Sequence, residues 1–194
     1  MHQNTRICKE DQLFENIDYT IQSFPKADYE YCTFKSCVFE NIDLSDTVFL
    51  ECNFINCNLS LACITNTTFG NVTFEACKML GLRFDSCNRN IQIVFRNCIL
   101  DYSSFCGMKL KGVLFRDSKL VEVNFTGADL TFASFAGSDL SGTIFNNTVI
   151  VSADFSTARN FEIDPEQNKL QKAKFSSSDL IHLLTKYRLE ISYE

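Results

Sequence analysis

Ten cysteines, two histidines and 24 carboxylates are the side chains of this 194-residue sequence that could bind a metal, move a proton or attack an electrophile. Cys32/Cys37 and Cys52/Cys57 are spaced by five, which invites a zinc or disulfide reading. A zinc site needs four donors converging on a tetrahedron. Here the thiols recur at multiples of five through Cys77, which strings them along the chain instead of gathering them. His2 lies at the terminus, and His182, near Asp179, has no partnered nucleophile in any recognisable motif. Neither a P-loop nor a GxGxxG phosphate cradle is present. The expectation is therefore no catalytic residue, no cofactor, no metal and no small-molecule substrate.

What remains is charge. The formal net charge is −6, which argues against direct nucleic-acid binding. Residues 1–75 hold 11 acids and 4 bases, residues 76–119 hold 3 acids and 8 bases, residues 120–166 hold 7 acids and 1 base, and residues 167–194 hold 3 acids and 5 bases. An elongated molecule would display these as bands. Outward carboxylates that could meet a basic partner are Glu122, Asp129, Asp139, Asp154, Glu162 and Asp164. A central patch of Arg89, Val94, Arg96, Ile99, Leu114 and Arg116 combines basic with apolar residues and is the alternative contact surface. Residues 1–20 carry charges and no apolar core of a signal peptide, and no apolar run reaches the roughly 20 residues of a membrane span. A cytoplasmic protein with reduced thiols and no membrane association is expected.

The elements that position these groups follow from the 19 phenylalanines. A large apolar residue recurs every five positions from Phe14 to Phe84, then one residue out of phase from Phe95 to Phe155, with Asn160, Pro165, Leu170 and Phe175 as weaker members. Two residues before each stands a small one, including Cys32, Cys37, Cys52, Cys57, Cys77, Cys87 and Cys98. A period of five fits neither a 3.6-residue helix nor a two-residue strand, so the chain must turn within every repeat.

The quintets CTFKS, CVFEN, ADLTF and ASFAG resemble the pentapeptide-repeat family. That resemblance covers about residues 12–177. It implies an all-β, right-handed quadrilateral β-helix in which four quintets make one coil. The central residue (i) and the one two earlier (i−2) would point inward. One internal test is available: position i should match the position one lap later. Phe14, Phe34, Phe54, Phe74, Phe95, Phe115, Phe135, Phe155 and Phe175 then form a single column. About eight coils at the ~4.8 Å strand separation make a rod of roughly 40 Å.

The expected layout is an N-terminal arm (1–11), the solenoid (12–177) with a register shift at 85–94, and a capping α-helix with tail (178–194). In the shift, Arg89 falls on an interior slot and should be turned outward. The bulge at 88–92 is either a tolerated insertion in a surface turn or a contact loop. Ser177 or Ser178 is the expected N-cap. Leu180, Leu183, Leu184 and Tyr187 would share the helix face that covers the open end of the stack, with Ile181 on its flank as a dimer contact.

Finer stretches (residues 54–61, 77–82 and 163–165, and the Leu-rich end) resemble the albicidin-resistance and microcin-immunity branch, relatives of the quinolone-resistance proteins. Membership would imply a dimeric, DNA-mimicking rod that binds DNA gyrase and spares it from antibiotic inhibitors. The alternative is an interaction scaffold unrelated to topoisomerases.

Overall fold

The computed structural model describes residues 7–89 and 91–190. The chain winds into a parallel-strand β-solenoid with four faces. Face 1 is a six-stranded ladder of β2 (Leu13–Glu15), β4 (Thr33–Lys35), β6 (Asn53–Ile55), β8 (Val72–Glu75), β9 (Ile93–Arg96) and β10 (Leu114–Arg116). Face 4 is a four-stranded ladder of β1 (Cys8–Glu10), β3 (Asp28–Glu30), β5 (Val48–Leu50) and β7 (Thr68–Gly70). Faces 2 and 3, centred on the columns of Tyr19 and Phe24, are held by single parallel bridges such as Asp18 to Val38 and Arg83 to Ser104. The register places Phe14 against Phe34, Phe34 against Phe54 and Phe54 against Phe74.

Each quintet turns a corner two residues after its central residue. The backbone there is left-handed in most quintets, as at Asn16, Asn56 and Asn97, where asparagine tolerates a positive φ. Leu61, Tyr102 and Phe132 adopt the same conformation with their side chains exposed.

Inside, the nine rings of the Phe column stack face to face at centroid separations between 4.7 and 5.6 Å. The widest, Phe74 to Phe95 at 5.6 Å, spans the coil that carries the extra residue. Rings of adjacent faces meet edge-on, as Phe115 does with Phe105 and Phe125. The i−2 slots hold small residues whose polar atom has an acceptor one lap back. Cys57 Sγ donates to the Phe34 carbonyl at 3.3 Å, Ser138 Oγ to that of Phe115 at 3.1 Å and Thr148 Oγ1 to that of Phe125 at 3.0 Å. That explains why Cys, Ser and Thr share a slot with Ala and Val: each is small, and at these positions the donor is satisfied, Thr47 being an exception.

Arg89 is exposed, as its charge requires, and Ile91 takes the interior place. In the degenerate coil near the end, Phe161 and Ile163 are buried while Asn160 and Pro165 are exposed. The interior place therefore falls at Phe161, one residue later than the count by five puts it.

Both ends differ from expectation. The ladder begins within the stretch read as an arm: β1 pairs with β3, and the Lys9 ammonium lies 5.2 Å from the Phe14 ring centroid and 5.7 Å from that of Tyr29. A cation–π contact thus covers the first open end of the stack. At the other end the segment is not an α-helix but two 3-10 turns, Ser177–Leu183 and Thr185–Tyr187. Ser176 precedes the first, with no side-chain cap bond. Leu183 packs on the core and His182 meets Phe161 edge-on at 5.4 Å, whereas Leu180, Leu184 and Tyr187 remain exposed. A segment this short has little helical stability of its own, so its contacts with the end of the stack set its geometry.

Candidate functional site

With i and i−2 pointing inward, the residues at i−1, i+1 and the corner are left to face outward. The candidate carboxylates fall on these positions, and most are already engaged. Asp129 accepts from Thr131 N and Oγ1, Asp139 from Ser141 N and Oγ, and Asp154 from Ser156 N and Oγ. These are Asx turns that fix the quintet corner.

Neighbouring coils and the terminal turn supply opposite charge. Lys111 lies 3.6 Å from Asp129, Lys174 lies 3.9 Å from Asp154, and Lys186 lies 2.7 Å from Asp164. Asn160 Nδ2 donates to Asp139 at 2.9 Å, and Arg159 is that residue's bridge partner on the next coil. The Ser156 hydroxyl and N–H hold the Asp154 carboxyl below its usual range. Lys186, then the Glu166 N–H, do the same for Asp164. Of the six, Glu122 and Glu162 are exposed and make no ion pair among the described residues. Face 4 of the first coils adds acids that the composition hinted at but did not localise: Glu10 lies directly beside Glu30, with Asp11 and Glu51 at the adjoining corner.

The central patch is divided by the fold. Val94 pairs with Leu114 and Arg96 with Arg116 across β9 and β10, all facing outward around a trough of about 250 Å³ that Ser134 and Ala136 complete. Ile99 is on face 2, between Lys78 and Lys119 in the bridge ladder, and Arg89 is in the bulge. Lys78 and Lys119 belong to this basic edge by geometry; their shared ladder with Ile99 was the signal for it in the sequence.

The thiols are free and follow slot: the seven at i−2 are buried, Cys8 and Cys63 are exposed, and Cys106 is half-buried. Burial pushes Cys52 and Cys87 up to about 12, which keeps them protonated and unreactive. Among the described residues no group of three or more His, Cys, Asp or Glu could hold a metal ion.

A family model described as a pentapeptide repeat region matches residues 47–125, and one described as pentapeptide repeats (8 copies) matches 109–147 and 124–159. The chain belongs to the pentapeptide-repeat family. A search of curated proteins finds no match. Among solved structures, a trypsin-treated variant of QnrB1, a plasmid-mediated fluoroquinolone resistance protein, is 17% identical, covering 96% of this chain and 100% of that one with a TM-score of 0.63. HetL, a pentapeptide repeat protein involved in heterocyst differentiation regulation from the cyanobacterium Nostoc sp. strain PCC 7120, is 18% identical, covering 88% of this chain and 86% of that one with a TM-score of 0.51. At these identities the shared property is the fold. The outer wall of this pentapeptide-repeat solenoid carries a pattern of charged and apolar side chains. Among its described residues no helix is long and apolar enough to cross a membrane.

Proposed function

We propose that this protein is a non-enzymatic binding rod that docks through its outer wall onto a type II topoisomerase such as DNA gyrase and shields it from inhibitors. The observation that carries the reading is the division of labour within each quintet. Inward side chains are consumed by stacking and by hydrogen bonds to the previous coil, so recognition is left to the outward ones. The likeness in fold to QnrB1, a fluoroquinolone resistance protein, supports the choice of partner.

A continuous DNA-like acidic strip over residues 122–164 is not what supports it, because lysines on neighbouring coils offset Asp129 and Asp154 and one in the terminal turn offsets Asp164. Acids open to a basic partner include Glu122, Glu162 and the face 4 group of Glu10, Asp11 and Glu30, with Glu51, which accepts from Asn71, beside them. A second copy would join at the C-terminal end through Leu180, Leu184 and Tyr187, which are 47%, 36% and 48% exposed, with Ile181 beside them. The working location is the cytoplasm, where a topoisomerase is met.

The test is a gyrase supercoiling assay with and without the protein, repeated with a fluoroquinolone. Altered supercoiling, or fewer drug-stabilised cleavage complexes, supports the reading; no effect in either arm removes it. Sedimentation of the native chain against Leu184→Glu checks the dimer, with a monomeric native chain as the refuting result.

The second reading, a scaffold for an unrelated protein, is favoured by one observation. Arg96, Arg116, Lys78 and Lys119 make no ion pair among the described residues, whereas Lys26, Lys35, Arg83, Lys111, Lys174 and Lys186 are each paired.

A further inference from the structure

We propose that the trough on face 1 is a docking site for an extended segment of a partner protein in which carboxylate and aliphatic side chains alternate. This deepens the reading of the outer wall as the working surface and rests on it.

The trough has two unlike walls. Phe95 and Phe115 point inward, so the residues on either side of each stand out as parallel rows. One row is Val94, Leu114 and Ser134; the other is Arg96, Arg116 and Ala136. Leu114 is 40% exposed. The two guanidinium groups sit on adjacent strands in register, an arrangement that like charges disfavour.

Elsewhere the rod offsets such charges with the neighbouring coil: Lys35 meets Glu15 at 2.7 Å on this same face, and Lys111 meets Asp129 at 3.6 Å. Glu75 is the register neighbour of Arg96, yet no ion pair within 4.0 Å forms. Like-charge repulsion and exposed aliphatic surface thus coincide in this trough, and both would be relieved by one kind of ligand.

An extended strand sends successive side chains to opposite sides. Laid along the rod axis in this trough, a strand of alternating residues puts its aliphatic side chains on Val94 and Leu114. Its carboxylates then fall on Arg96 and Arg116. Same-side residues of a strand repeat every ~6.8 Å against a coil repeat of ~4.8 Å, a mismatch that long arginine side chains absorb. Nucleic acid offers the anions without the alternating aliphatic groups, and the net charge of −6 opposes it.

The probe is a fluorophore-labelled hexapeptide of alternating leucine and glutamate, titrated with the full chain and read by fluorescence anisotropy. Parallel probes alternate serine with glutamate and leucine with lysine, and a labelled oligothymidylate reports simple anion binding. The leucine–glutamate peptide should bind tightest. The double variant R96E/R116E should weaken it about tenfold or more, and Leu114→Ser about fivefold. Arg89→Glu, in the bulge, should leave it unchanged. These side chains are exposed, so the variants should melt like the native chain.

Equal binding of the serine–glutamate peptide, equal binding of the oligothymidylate, or indifference to R96E/R116E would each overturn the proposal. Running R96E/R116E in the supercoiling assay separates the two claims. A gyrase effect without peptide binding sinks the trough alone, and peptide binding without a gyrase effect sinks the topoisomerase assignment alone.

Discussion

Replacing Phe115 with alanine tests the Phe stack where it is most constrained. Phe115 is fully buried and touches four rings. It stacks on Phe95 at 5.1 Å and Phe135 at 5.2 Å, and meets Phe105 and Phe125 edge-on at 5.7 and 5.6 Å. Burying the side chain contributes about 1.5–3 kcal/mol, and the cavity left behind brings a Phe→Ala change to about 3–5 kcal/mol. For a domain of this size that lowers Tm by roughly 6–20 °C. Phe175, at the end of the column, is half-buried and meets only Phe155 and Phe161 among the described rings, so Phe175→Ala should cost about half as much. Phe115→Leu should cost about 1 kcal/mol, since Leu120 and Leu130 occupy equivalent fully buried slots on other faces. Urea titration of the three variants, with m-values compared, reads these differences. If Phe115→Ala cost no more than Phe175→Ala, stability would not reside in nearest-neighbour stacking along the axis, and the account of the core would fail.

Three further perturbations follow from single slots. Thr47 is fully buried and its Oγ1 has no partner, while Thr67 Oγ1, in an equivalent slot, donates to the Leu44 carbonyl at 2.8 Å. Thr47→Val should be neutral or stabilise by about 1 kcal/mol and Thr67→Val should destabilise by about 1 kcal/mol, so matching signs in urea melts would contradict the slot chemistry. Ile91→Asp puts a charge into the interior place that Arg89 avoids and should cost at least about 3 kcal/mol, whereas Arg89→Ala should stay within about 0.5 kcal/mol. The Ser45 hydroxyl, with Lys26 at 2.9 Å, pulls the Asp43 carboxyl down to about 2. A depressed carboxylate stabilises above its unfolded pKa of about 4, and that contribution is lost as pH falls toward 2. Asp43→Asn should therefore be slightly less stable than the native chain at pH 7 and equal to it near pH 2, a small effect because both partners are half exposed.

The interior was legible because its rule is strict. A side chain one lap away must lie directly over its neighbour, so phenylalanine spacing alone located the column from Phe14 to Phe175. A charge cannot remain inside unpaired, which turned Arg89 outward. The rule lapses where the lap changes length. Near the end, counting by five selected Asn160 and Pro165, but the left-handed backbone at Asn160 (φ 58°) makes it a corner and sends Phe161 inward. Lys9 was hidden for a different reason: a lysine reads as outward, yet over the last ring of an open stack its ammonium gains a π face and still reaches water. The role of Asp129, Asp139 and Asp154 in Asx turns was within reach, since each precedes Thr or Ser by two residues.

The same stacking rule governs what the outer wall can recognise. Every outward residue has a neighbour one lap up and one lap down at strand separation, so charge on a solenoid is edited by vertical pairs more than by total composition. Residues 120–166 carry 7 acids and 1 base, but Lys111, Lys174 and Lys186, all outside that stretch, reach into it from coils above and below or from the terminal turn. Counting charges along the chain therefore overstates the acidic face offered to a partner. The converse holds on face 1, where Arg96 stands over Arg116 and Val94 over Leu114. Like stacked on like gives the fold none of the attraction that an opposite pair such as Lys35 over Glu15 supplies. A departure from vertical pairing is thus a better guide to a contact surface in such a rod than the sign of its net charge.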